Sequence, residues 1–438
     1  MIGRFEMTNK LGTIRIGIAG LGTVGCGLLQ AIEKQAELRL PGKISVNGIT
    51  SRTKDRERPV DISTYKWADD PVSLARDPDI DVFVELIGGS EGVAKDSVVA
   101  AMTSGKPVVT ANKALMAMYG SELSRVAEEN GVDLLFEAAV AGGVPVVRAL
   151  RDSLSGVRVS RVSGILNGTC NYLTTQMLDT ERDYDVVLAE AQALGYAESD
   201  PELDVSGMDA AHKIAILSSI AFSAPIDFSK VDVSGVDALT LVDLQCAHRL
   251  GLTIKLIAEG LKTPNGVICR VEPKAMPHDH PLARVNGSLN TVRVEGDALG
   301  AVSFTGPGAG AGPTASAVMG DISKLFRPGV RSPFGRAAHH SEHSFVAQSG
   351  DEASPWFLRC FLADQSGALA GLSDAFARAD VSIDRMLQDS AGRDNLAAIA
   401  VLTHACSRDD VLRLVANLHA LETIHGTPRF VRIENREF

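Results

Sequence analysis

Lys213 and Asp209 stand one helical turn apart in the segment from Leu194 to Phe222, LGYAESDPELDVSGMDAAHKIAILSSIAF. The second half of this segment has helical spacing from about Met208. On that helix both charges fall within the apolar stripe of Ile216, Leu217 and Ile220, opposite Ala211, Ala215 and Ser218. Charges rarely sit on an apolar face unless they are paired or put to use. Two roles fit the pair. It is an i, i+4 ion pair satisfied inside a core or on an open wall. Alternatively it lines an active site, where a partly desolvated lysine exchanges protons near neutrality. Glu198, Asp200 and Asp204 crowd the loop just upstream. Such a cluster suits recognition of a substrate ammonium group, or else it is a solvated acidic loop.

A second constellation lies near the start of the chain. Gly20, Gly22, Thr23, Val24 and Gly25 belong to a G-x-G-x-x-G run, GLGTVG, that follows an apolar strand pattern and opens a helical one. In that context the glycines serve a tight turn, close approach of a pyrophosphate, and close helix–strand packing. The helix N-terminus then offers unpaired N–H groups to the negative charge. The next strand ends in Ile49-Thr50-Ser51-Arg52-Thr53-Lys54, with no acid before Asp55. An acid there would bind a ribose 2′-hydroxyl; Arg52 instead suits a 2′-phosphate, with Lys54 nearby, and favours NADP over NAD. A plain solvated basic turn is the alternative. Lys113, in TANK (110–113), follows another strand and would face the same crevice, unless it is an ordinary surface lysine. The turn FEAAVAGGVP (136–145) offers carbonyls and Glu137 to a hard cation, a weak signal taken alone.

The elements that must position these groups alternate in type. Strands are expected at 13–19, 44–50, 81–88, 106–112 and 132–140. Helical stretches lie between them, such as Val24 to Gln35 and Gly120 to Asn130. This alternation is the pattern of a parallel Rossmann sheet with helices on both faces. After Pro145 the pattern changes: a helix around 146–154, a strand at 157–166, helices at 183–194 and 208–222, and short strands between 250 and 305. A glycine loop at 306–312 then precedes a helix at 314–326. The last part reads βαββαβ, a ferredoxin-like unit. The fold class expected is therefore α/β, with an N-terminal Rossmann domain (13–145), an α+β catalytic and oligomerisation domain (146–328), a polar linker (329–352) and a C-terminal ferredoxin-like domain (353–438).

Composition narrows the function classes. The 438 residues suit two or three domains, and 45% hydrophobic with 22% charged residues is ordinary for a globular chain. A net charge of −11 argues against non-specific binding to nucleic acid or anionic membrane. No apolar stretch reaches bilayer length, and residues 1–12 read as a loose leader without a secretory core. The six cysteines are scattered with no C-x-x-C pair, which suits reduced thiols in a cytoplasmic protein. His339, His340 and His343, and the pair His278 and His280, have no partnering metal motif and are expected to be solvated.

Together GLGTVG (20–25), TANK (110–113), FEAAVAGGVP (136–145), GILNGTCNY (164–172), LGYAESDPELDVSGMDAAHK (194–213) and GPGAGAGPTASAVMGD (306–321) resemble the homoserine dehydrogenase family over residues ~13–330. The unit at 357–433 is similar to an ACT domain, with DQSGALAGL (364–372) in place of its ligand loop. The resemblance implies interconversion of L-aspartate 4-semialdehyde and L-homoserine with NAD(P)H, on the route to threonine, methionine and isoleucine. It implies Lys213 as proton donor, with Lys113 beside the reacting centre and Asp209 holding substrate and orienting Lys213. Glu198, Asp204, Gly195 and Tyr196 fall in the substrate-binding set. Gly308 and Gly310 belong to a loop that closes over the cofactor. A structural sodium ion is implied at Glu137, Val140, Gly142 and Val144, mostly through backbone carbonyls. Threonine is the implied effector at the ACT domain, and a homodimer or homotetramer is the implied assembly. Cys170 stands where threonine is common, a small departure.

Two rival readings make different demands. A phosphate-dependent semialdehyde dehydrogenase would need a base beside Cys170, and NGTCNY supplies none. An amino-acid sensor would tolerate a degenerate glycine motif, whereas here that motif is intact.

Overall fold

The computed structural model describes residues 12–197, 200–327, 329–337, 343–347, 353–393 and 395–434. The first unit runs β1 (Thr13–Ala19), α1 (Thr23–Glu33), β2 (Lys43–Thr50), α2 (Pro71–Arg76), β3 (Val82–Glu85), α3 (Val93–Thr103), β4 (Val108–Thr110), α4 (Lys113–Asn130) and β5 (Leu134–Leu135). All five strands pair in parallel in the order β2-β1-β3-β4-β5. The chain reverses its direction of winding between β1 and β3. Ligands of such open sheets bind at that point, outside the carboxyl ends of the strands.

Two boundaries differ most from the sequence expectation. The apolar run 132–140 yields only a two-residue strand, because Glu137–Ala139 form a 3₁₀ turn. That turn is fixed by the buried Glu137 carboxylate, which accepts from the backbone N–H of Val147 and Arg148, ten and eleven residues on. Helix α4 begins at Lys113 rather than near 120, because Asn112 caps it through Leu115 N.

The second unit runs α5 (Val146–Arg148), β6 (Val159–Ile165), α6 (Gly168–Thr180), α7 (Tyr184–Ala193), α8 (Glu202–Val205), α9 (Met208–Phe222), β7 (Asp232–Val233), α10 (Leu241–Arg249), β8 (Leu252–Thr263), β9 (Gly266–Pro277), β10 (Leu289–Gly296), β11 (Gly300–Pro307) and α11 (Ala311–Lys324). Helix α9 is buried almost all round, so Ala211, Ala215 and Ser218 face protein rather than water. It is flanked by α4 on one side and the sheet strands β6, β8 and β9 on the other. Helix α11 returns to the first unit: Ala315, Val318 and Ile322 share a core with Ile16, Leu28 and Val84. A Cβ on Gly27 of α1 would meet the Ala311 carbonyl at 2.7 Å, so a glycine is what lets these two helices touch.

The last unit is β12 (Trp356–Ala363), α12 (Ala368–Arg378), β13 (Ile383–Arg393), β14 (Leu396–Thr403), α13 (Arg408–His419) and β15 (Ile424–Ile433), the βαββαβ order read from the sequence. Its sheet does not stand alone. Strand β15 pairs in parallel with β9 through Arg432–Lys274 and Ile433–Ala275, giving one sheet in the order β11-β10-β6-β8-β9-β15-β12-β14-β13. Buried charges cross the same seam. Glu434 meets Lys274 at 3.0 Å, and Arg359 donates to Asp243 at 2.6 Å with both side chains buried. Of the stretch expected to link the units, Phe345 is buried and forms a bridge with Val267, and Phe334 packs on Phe136. His339 and His340 lie outside the described residues.

Candidate active site

The glycine motif adopts the geometry its sequence suggests. Gly20 has φ +107° and a Cβ there would lie 2.2 Å from the Leu86 carbonyl. A Cβ on Gly25 would strike the Gly20 carbonyl at 2.1 Å, while one on Gly22 would meet nothing within 4 Å. The open face at Gly22 and the N-terminus of α1, which starts at Thr23 and Val24, leave room for a pyrophosphate. Arg52 and Lys54 lie on the exposed turn after β2. Arg58 folds back over that turn, donating to the carbonyls of Lys54 and Arg56 at 2.8 and 2.7 Å. Lys54 Nζ sits 5.6 Å from the centre of the Trp67 ring.

Across the crevice, Glu85 ends β3 fully buried. Its carboxylate accepts from Thr110 Oγ1 at 2.5 Å and from the N–H groups of Ile87 and Gly88. Asn112 in turn donates to the Gly89 carbonyl at 2.6 Å. Burial holds the Glu85 carboxyl above its usual range despite these bonds. This network fixes the TANK turn and places Lys113 at the first position of α4. A cation there opposes the helix dipole, which points to a use other than stabilising the helix.

Lys113 reaches into the second unit. Its Nζ lies 2.5 Å from Asp209 Oδ1, and Lys213 Nζ lies 2.6 Å from Asp209 Oδ2. Asn167 Nδ2 donates to Asp209 Oδ2 at 2.9 Å and to Asp204 Oδ1 at 2.8 Å. Lys213 completes its bonds on the Leu166 carbonyl at 2.7 Å. One carboxylate thus holds two ammonium groups of different exposure: 42% of the Lys113 side chain is open to solvent, against 10% for Lys213. Burial pushes the Asp209 carboxyl up, but the two lysines outweigh it, and it ends below the usual carboxylate range. For Lys213, burial and the Lys113 charge lower the ammonium pKa more than Asp209 restores it. Burial, reinforced by the Asp209 charge, raises Asp204. A buried ammonium whose pKa is lowered gives up its proton more readily than a free lysine does.

The acidic loop contributes unevenly. Gly195 turns the chain with φ +75°. The exposed Tyr196 ring packs on Tyr172, and its carbonyl accepts from Thr169 Oγ1 at 2.7 Å. Glu198 and Ser199 lie outside the described residues. Cys170 is fully buried and its Sγ lies 3.2 Å from the Asp204 carbonyl; burial drives its thiol well up. It is a packing residue, with none of the features of an activated nucleophile.

The turn at 136–145 behaves differently from a carboxylate metal site. Both Glu137 oxygens are taken up by N–H donors, Val147 N at 2.9 Å, and Arg148 N and Nε at 2.9 and 3.2 Å. Val140, Gly142 and Val144 can therefore offer carbonyls only, and Ala141 and Gly142 bend the turn with φ 52° and 39°. Among the described residues no group of three or more His, Cys, Asp or Glu could hold a metal ion.

Asn167, Glu85, Asn112 and Asn290 are the site residues that the sequence reading left without a role. The first three were visible in principle, since each ends a strand or caps a helix facing the crevice. Asn290 gave no signal beyond its place in an apolar strand.

A dinucleotide crevice that opens onto two lysines sharing one carboxylate defines an NAD(P)-dependent oxidoreductase. The comparisons with known proteins agree. Residues 20–137 match the family described as homoserine dehydrogenase, NAD binding domain, residues 145–323 match homoserine dehydrogenase, and residues 356–423 match the ACT domain. The chain belongs to the homoserine dehydrogenase family. It is 40% identical to the homoserine dehydrogenase of Pseudomonas aeruginosa, over 96% of this chain and 99% of that one. With that of Mycobacterium tuberculosis it shares 41% identity, over 96% and 98%. Its structure superposes on the crystal structure of a homoserine dehydrogenase from Thiobacillus denitrificans with TM-score 0.88 and 37% identity, covering 97% and 98% of the two chains. A hyperthermophilic archaeal homoserine dehydrogenase in complex with NADPH matches with TM-score 0.60 and 28% identity, over 73% of this chain and 100% of that one.

Proposed function

We propose that the enzyme interconverts L-aspartate 4-semialdehyde and L-homoserine, with Lys213 as the proton donor, in the supply of threonine, methionine and isoleucine. The observation that carries this reading is the Asp209 carboxylate held between Lys213 and Lys113 at the mouth of the dinucleotide crevice. A nicotinamide cofactor held at the glycine motif would supply hydride to the aldehyde carbon, leaving negative charge to develop on the oxygen. The Lys213 ammonium stabilises that charge and supplies the proton. Lys113, exposed to the crevice, adds a second positive charge toward the developing alkoxide. Asp209 orients both, and Asp204 with Glu198 receives the substrate ammonium. The decisive assay follows NADPH oxidation with aspartate semialdehyde. Lys213→Ala is expected to lower kcat on the order of 10²-fold or more with a smaller change in KM. A variant with near wild-type kcat overturns the assignment.

NADP is the preferred cofactor in this reading, because the turn after β2 carries Arg52 and no acid. Comparing kcat/KM for NADPH and NADH in the wild type and Arg52→Glu tests it. A sodium ion at the 136–145 turn belongs to the same reading. Its ligands are oxygens of Glu137, Val140, Gly142 and Val144, mostly backbone carbonyls, and neutral oxygens suit a monovalent ion. Replacing sodium by choline should lower the melting temperature if the ion is structural. The C-terminal unit is read as a threonine sensor, and a homodimer or homotetramer in the cytoplasm as the working form. No helix among the described residues is long and apolar enough to cross a membrane. Threonine inhibition that Asp364→Ala and Ser366→Ala leave unchanged rules out the sensing role.

A further inference from the structure

Asn290 is the second residue of β10 and is 1% exposed. Its Nδ2 donates to the Leu166 carbonyl at 2.9 Å, the same oxygen that accepts from Lys213 Nζ at 2.7 Å. The amide therefore fixes the acceptor that aims the lysine. Its other face lies against the glycine loop. A Cβ built on Gly308 would fall 2.1 Å from Asn290 Cγ, and one on Gly168 would fall 3.3 Å from Oδ1. Asn290 Oδ1 is buried and accepts no hydrogen bond among the described residues. A buried acceptor left open destabilises the fold, so a residue kept there for packing alone would be better replaced by an apolar one. The backbone of Gly308 is outside the left-handed region, so its lack of a side chain answers to Asn290 rather than to conformation.

We propose that Asn290 is a positioning residue for the reduction, clamping the Leu166 carbonyl on Lys213 and registering the Gly308 loop against it. The inference rests on Lys213 being the proton donor. The loop reaches the cofactor side, because α11 begins directly after it and packs on α1. Asn290 thus joins the part of the site that holds the proton to the part that covers the dinucleotide. Displacing the amide frees the Leu166 carbonyl, and Lys213 loses one of its two fixed acceptors.

The test measures kcat, KM and the pH profile of aldehyde reduction in Asn290→Ala, Asn290→Asp, Gly308→Ala and the Asn290→Ala/Gly308→Ala double variant, with Lys213→Ala as reference. Asn290→Ala should lower kcat about 10- to 100-fold, with KM for the semialdehyde moving less. Asn290→Asp keeps the shape but cannot donate to Leu166, and as a carboxylate it also stabilises the Lys213 ammonium. It should lose kcat as Asn290→Ala does, and its basic limb should move to higher pH. Gly308→Ala should be at least as damaged as Asn290→Ala. The double variant should be no worse than Gly308→Ala, because the added methyl then meets no amide. Strictly multiplicative losses, or an Asn290→Asp variant with wild-type kcat and pH profile, overturn the proposal. If Lys213→Ala itself retains activity, the reading of the site fails first. Equal melting temperatures across the set separate loss of positioning from loss of folding.

Discussion

Replacing Asp209 by asparagine removes the negative charge that lies between two ammonium groups while keeping the side chain's shape. Asp209 accepts from Lys213, Lys113 and Asn167, and asparagine has one acceptor oxygen for those three donors. The larger effect is electrostatic. Unit charges about 4 Å apart at an effective dielectric near 20 interact by about 4 kcal/mol. That attraction is what keeps the proton on Lys213, whose ammonium burial already holds below its usual value. With Lys113 still nearby, the Lys213 pKa should fall further. Aldehyde reduction needs the ammonium form, so the basic limb of kcat should move down by the same amount. On the basic side of both profiles the variant should be slower than the wild type by a factor of up to about 10³, the equivalent of about 4 kcal/mol, recovering about tenfold for each pH unit lowered until the ammonium form is restored. Initial rates of NADPH oxidation at saturating semialdehyde, taken from about pH 6 to about pH 9, read this directly. A loss of the same size at every pH refutes the electrostatic argument and leaves Asp209 a substrate ligand only.

Three further outcomes follow from the packing. Arg359→Met leaves Asp243 Oδ1 buried without its cation and should cost about 3 kcal/mol in denaturant unfolding; the double variant with Asp243→Asn should recover part of that loss. Lys255 is buried among the oxygens of Asn171, Thr175 and Asn286, and burial brings its pKa down to about 8 from 10.5. Below about 8 both folded and unfolded chains carry the charge and the native state bears the full cost, about 3 kcal/mol. Stability should therefore rise as pH climbs from about 8 to about 10.5, and the rise should be absent in Lys255→Met; parallel pH dependences would dismiss it. Cys170→Ser should keep near wild-type kcat, since the thiol is buried, and a large loss would reopen the thioester reading.

The seam between the second and third units changes how regulation can be tested. Removing the chain after residue 335 would strip β15 from β9, take Glu434 from Lys274 and take Arg359 from Asp243. Such a fragment exposes strand edge and orphaned charge, so altered activity in it says nothing of an effector. Substitutions in the 364–367 turn of the full chain avoid that confusion.

The glycine motif, the parallel sheet and the final βαββαβ unit were legible because each rests on local rules: periodicity, turn glycines and helix caps. The Asp209–Lys213 pair was legible for the same reason, being one turn apart on one helix. The two-residue length of β5 was not, because the buried Glu137 takes its hydrogen bonds from Val147 and Arg148, beyond the reach of a local pattern.

By itself the sequence determined that the chain binds a dinucleotide and carries a buried lysine–carboxylate pair on a helix. Only the tertiary structure decided that Asp209 also holds Lys113, which is 96 residues away along the chain and belongs to a different sheet's crevice. It also decided that Asn290 and Lys213 share the Leu166 carbonyl, and that the last unit is bonded into the central sheet. The physical reason is the same in each case. A side chain's charge and shape are written in its own codon, but its partners are chosen by which elements the packing brings within hydrogen-bond reach.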